Sequence, residues 1–71
     1  MKNIQTPVFS SQEILIMKLI CAEYKSKEIA AMLNVDMNII GRHRKKLLIK
    51  TGSKNMVGIV NYAVLQGIYK I

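Results

Sequence analysis

The sequence predicts an all-α fold, a bundle of four helices, and three observations predict it. Helical spacing of apolar residues recurs four times, and no stretch alternates apolar and polar residues long enough to make a strand. Residues that favour helix starts (Ser10, Asp36 and Asn55) and helix stops (Gly52 and Gly67) punctuate those stretches. The chain has 71 residues, 51% of them hydrophobic, which is enough for one small core and too little for a barrel or a doubly wound sheet. The simplest organisation is a tail over residues 1–8 and one domain over residues 9–71.

The first helix opens on a capping box. Ser10 stands three residues ahead of Glu13, and Phe9 is placed to staple onto Ile14. The pattern carries this helix to about Tyr24, with Ile16, Leu19, Ile20 and Cys21 or Tyr24 inward and Met17 at the edge. The second helix covers residues 26–33. Ile29, Ala30 and Leu33 form its inner face, and the small Ala30 and Ala31 permit a close approach by another helix.

Asn34, Val35 and Asp36 make a turn in which Val35 drops toward the core. Asp36 then caps a third helix over about residues 37–51, closed by Gly52. At about 100° per residue, Ile40, Arg44, Leu47 and Thr51 share the inner side. Asn38, Arg42, Lys45 and Ile49 share the outer side, flanked by Gly41 and Lys46. A glycine inside a helix costs about 1 kcal/mol against alanine, so Gly41 asks for a reason. Asn55 caps the fourth helix, which ends at Gln66. Its inner stripe reads Met56, Val60, Ala63 and Val64. Gly58, Asn61, Tyr62 and Leu65 lie on the far side, where they suggest a surface for another chain.

Charge is divided unevenly. The net charge is +7, yet the four acids, Glu13, Glu23, Glu28 and Asp36, all fall in the first 36 residues. Residues 37–71 carry seven bases and no acid, and five of those bases lie between positions 42 and 50. A one-sign block of that density on a rigid helix suits a polyanion.

Catalysis finds no residue to carry it. The acids are too scattered for a general acid–base pair, His43 sits between Arg42 and Arg44 with nothing to orient it, and no glycine-rich phosphate loop exists. Cys21, the single cysteine, reads as a small core residue; it makes no internal disulfide and, with one histidine, no zinc site. No cofactor is expected. The lone cysteine points to a reducing, cytoplasmic compartment. No apolar run of membrane-spanning length is present, nor does residues 1–7 resemble a signal peptide.

A short helix, a tight turn and a longer basic helix are the order of a helix-turn-helix. Lys27-Glu28-Ile29-Ala30, Leu33, Val35, Ile40, His43-Arg44, Leu47 and Lys50-Thr51-Gly52 together resemble the DNA-binding domain of LuxR/NarL-type transcription regulators. Phe9-Ser10, Glu13, Ile16-Met17 and Leu19-Ile20 are similar to that family's opening helix. Asn55, Val60, Ala63 and Gly67-Ile68 are similar to its last. The resemblance covers residues 9–68. It implies a third helix in the major groove of double-stranded DNA, with Asn38, Gly41, Arg42 and Lys45 facing bases. Lys27, Asp36 or its backbone, Arg44, Lys46 and Lys50 then face phosphates. It also implies a weak homodimer through the fourth helix, at Gly58, Asn61, Tyr62 and Leu65. Such domains are usually the output half of a larger regulator, often a two-component response regulator whose receiver or sensor domain is absent from this sequence. The chain departs from the family pattern at Glu23, where glycine is usual, and at Asp36, where Ser or Thr is. It departs again at Ile39, usually polar, and at Gly41, usually Lys.

Three functional readings follow. The first is sequence-specific binding of duplex DNA by a transcription regulator. The second is a protein-interaction or dimerisation module that keeps the fold without DNA recognition. The third is binding of RNA or single strands, which wants aromatic stacking surfaces. Phe9, Tyr24, Tyr62 and Tyr69 all lie outside the basic face, and the charge block favours the first reading.

Overall fold

The structure is a computed structural model that describes residues 8–70. The expected tail over residues 1–8 lies outside the described residues except for Val8. Four helices follow in order: α1 (Ser11–Cys21), α2 (Ser26–Leu33), α3 (Met37–Thr51) and α4 (Met56–Leu65), with no strand among the described residues. The fold is therefore the all-α bundle that the spacing predicts.

The α1 start matches the capping box. The Glu13 backbone N–H donates to Ser10 Oγ at 3.1 Å, and the Ser10 N–H donates to Glu13 Oε1 at 2.8 Å. Phe9 meets Tyr62 of α4 edge-on, with ring centroids 5.8 Å apart, and both Phe9 and Ile14 pack against the core. The helix stops at Cys21, three residues short of the expected Tyr24. Glu23 takes the left-handed conformation at φ 70° and ends it, with the Tyr24 N–H returning to the Leu19 carbonyl. Tyr24 is consequently exposed, and Met17, expected at the edge, is fully buried beside Ile16 and Ile20.

Helices α2 and α3 match their expected bounds. Asn34 ends α2 at φ 57°, one of two non-glycine residues in the left-handed region among those described. The Val35 N–H bonds the Ala30 carbonyl, and Val35 packs against the core as expected. Asp36 Oδ1 accepts from the Asn38 N–H at 2.8 Å and caps α3. Gly52, at φ 66°, closes it.

Asn55 Oδ1 accepts from the Val57 and Gly58 N–H groups and starts α4. The core-facing stripe of α4 is rotated from the expected one: Ile59 and Ala63 are buried, with Met56 and Val60 packed beside them. Gly58 is therefore not on a free outer face. A Cβ there would stand 2.6 Å from the Ser53 Cβ, so the missing side chain admits the chain's own α3–α4 turn. Tyr62 is likewise half-buried against Phe9. Asn61 and Leu65 keep the outward position expected of them.

The core gathers Ile16, Met17 and Ile20 of α1, Ile29 and Ala30 of α2, Ile40 and Leu47 of α3, and Ile59 and Ala63 of α4. Helix α2 packs on α3, while α4 packs on both α1 and α3. The longest helix thus lies with one side against every other element and the other side in solvent.

Candidate nucleic-acid interface

Leu47 and Ile40, both fully buried, set the rotation of α3 about its axis. The opposite side then carries Asn38, Gly41, Arg42, Lys45 and Lys46, all exposed, and Ile49 at 80% exposure. This is the outward face that the helical spacing predicts. Its cations stand on one helix with no carboxylate in that helix, so their fields add outward. Lys27, in the first turn of α2, is also exposed.

Two other bases are committed inside the chain. An Arg44 guanidinium N–H donates to Ser26 Oγ, which links the middle of α3 to the start of α2. Lys50 Nζ donates to both carboxylate oxygens of Glu13, at 2.9 and 3.1 Å, and to the Val8 carbonyl at 2.9 Å. It also lies 5.5 Å from the centroid of the Phe9 ring. Lys50 thus clamps the end of α3 to the start of α1.

Glu13 is buried at 6% side-chain exposure. The Lys50 hydrogen bond, then the Ser10 N–H, hold its carboxyl below the usual value of 4.5, against the opposing effect of burial. Burial also pushes the Cys21 thiol up, away from the thiolate form a nucleophile needs. Asp36 is exposed, and its carboxylate is occupied by the α3 N-terminus that it caps.

The structure therefore brings Asn38, Gly41, Arg42, Lys45 and Lys46 onto one face, with Lys27 on the neighbouring helix. It withdraws Lys50 from that set and half-buries Arg44. The partners Glu13 and Ser26 escape a reading of the sequence, because neither contact is local: they span 37 and 18 residues. Among the described residues no helix is long and apolar enough to cross a membrane.

Comparison with known proteins agrees with this geometry. The profile of the family described as bacterial regulatory proteins, luxR family, matches residues 7–63. A curated relative from Cyanophora paradoxa, named probable transcriptional regulator ycf29, is 32% identical over 56 residues, which is 79% of this chain. The chain spans 27% of that relative's length. No solved structure matches at the same level of significance. The chain belongs to the luxR family of bacterial regulatory proteins.

Proposed function

We propose that this domain binds specific sequences in double-stranded DNA, with α3 lying in the major groove. One observation carries the reading: the outward face of α3 presents Asn38, Arg42, Lys45 and Lys46 exposed, on a helix whose other side is locked by Ile40 and Leu47. Asn38 suits an adenine edge and Arg42 a guanine edge, each by a bidentate pair. Gly41 and Lys45 complete the base-facing set. Lys27, Lys46 and the backbone at Asp36 meet phosphates and fix register. The domain serves as the output half of a longer regulator whose receiver or sensor domain sets its activity. The name of the curated relative supports the regulatory role.

Salt-dependent titration on duplex DNA tests this. Four exposed bases of this face and of the start of α2, Lys27, Arg42, Lys45 and Lys46, release about four counterions, for a log–log slope of about −3.6. A slope near zero overturns the reading. Arg42→Ala is expected to lose about 1–3 kcal/mol on the best site and to relax specificity at one base pair. An equal loss on random sequence would remove Arg42 as a base reader.

The exposed Val57 and Leu65 favour pairing of two domains through α4, with Asn61 between them. Two such residues fall well short of a standard interface of about 800 Å² per partner, so pairing is weak in solution and emerges on adjacent half-sites. Leu65 is 83% exposed, so a charge there does not enter the core. Leu65→Glu is expected to leave the melting temperature and half-site affinity unchanged and to abolish cooperative binding to a paired site. Cooperativity that survives the substitution excludes α4 as the contact.

A further inference from the structure

We propose that Gly41 is the point of closest approach between α3 and the base pairs, and that its missing side chain seats the C5-methyl group of a thymine. The inference rests on the DNA-binding reading above and goes further by assigning a specificity-determining residue and its chemistry.

The glycines of the described chain differ in what requires them. Gly52 and Gly67 stand at φ 66° and 75°, a conformation that other residues rarely take. Gly58 has Ser53 where its Cβ would be. Gly41 has neither reason: it lies within α3, outside the left-handed region, and a Cβ there would have nothing within 4 Å. Nothing inside the fold requires a glycine, and the helix is less stable for having one. The feature that makes use of the gap therefore lies outside the chain.

The position of the gap points to that feature. Gly41 sits between Asn38, one turn earlier, and Lys45, one turn later, with Arg42 beside it, all exposed. It divides three groups able to bond base edges. Gly41 itself has no side-chain donor or acceptor to offer, and its peptide groups lie within the α3 hydrogen-bond ladder. What it presents is a bare, apolar Cα with free space over it. The one apolar group that projects from the major-groove edge is the thymine methyl, and the hydrogen-bonding groups there are donors or acceptors that a bare Cα cannot meet. A side chain at position 41 would fill the space and hold the helix off the groove floor, drawing Asn38 and Arg42 out of reach together.

The test begins with selection of bound sequences from a random duplex pool. The wild type and Gly41→Ala are then titrated on the selected site, and on versions in which deoxyuridine replaces each thymine in turn. Alanine is expected to raise the melting temperature by about 4–8 °C, from helix propensity alone, so a misfolded variant cannot be mistaken for a weak binder. Affinity is expected to fall about tenfold or more at the same time, as for a mismatched base pair. One thymine should cost the wild type about fourfold when its methyl is removed, and cost the alanine variant nothing. The proposal is overturned if the alanine variant binds as tightly as the wild type, or if no thymine is sensitive to loss of its methyl. A pool in which no sequence is enriched removes the DNA-reading interpretation itself, and this proposal with it, before any variant is made.

Discussion

Replacing Leu47 with alanine is expected to cost about 2–5 kcal/mol and to lower the melting temperature by more than about 10 °C. Leu47 is fully buried on the inner side of α3, where it meets the shared core. Alanine leaves a cavity among residues from four helices, none of which can close it without shifting the others. A domain of this length holds about 4–10 kcal/mol in total, so the loss is a large share of what keeps it folded. DNA binding falls with the folded fraction and by no other route. Ile49, two residues on but 80% exposed, provides the contrast: Ile49→Ala is expected to change stability by less than about 0.5 kcal/mol. Thermal melts followed by circular dichroism decide this. Similar losses in both variants would mean that α3 is rotated from the position described.

Replacing Glu13 with alanine is expected to cost about 2–4 kcal/mol, because it removes the capping-box acceptor and the buried anion facing Lys50 together. The value stays at the low end for a broken ion pair, since Lys50 is 34% exposed and can turn to water. The pH dependence has a definite sign. The carboxyl is held below its ordinary 4.5 in the folded state, so the stability it contributes is present above that value. That stability is lost as pH falls through 4.5 toward the folded-state value. Glu13→Gln keeps an acceptor for the Ser10 N–H but loses the charge. Its melting temperature should start lower at neutral pH and fall less on acidification. Parallel curves for the two proteins would show that the Lys50 contact contributes nothing. The clamp also recasts Lys50→Ala: its main effect is a lower melting temperature, with little change in DNA affinity per folded molecule.

Much of this was legible in the residues. Helix α3 was fully specified, because a capping Asp36, a closing Gly52 and polar residues on one side fix both its ends and its rotation. The outward set Asn38, Gly41, Arg42, Lys45 and Lys46 followed from that rotation. Helices α1 and α4 were harder for the opposite reason. Where nearly every position is apolar, as from Ile14 to Cys21 with Lys18 alone between them or from Met56 to Val60, too few polar residues mark which side faces water. Met17 is fully buried although the pattern puts it at the edge, and Ile59 is fully buried although the expected stripe does not include it. The end of α1 was overrun because Glu23 adopts a backbone conformation that its residue type does not announce. Gly58 and Lys50 show a further limit: each touches a partner that only the folded chain brings near, Ser53 across a turn and Glu13 across the whole bundle.

The two sides of α3 share one backbone but almost no duties. Ile40 and Leu47 answer to the interior, while Asn38, Gly41, Arg42 and Lys45 touch none of it. A lineage carrying this domain can therefore exchange the four outward residues one at a time without passing through an unfolded intermediate. On the proposed reading, regulatory targets are rewritten while the scaffold stays constant, and a designer grafting a new outward set onto this helix inherits the same freedom.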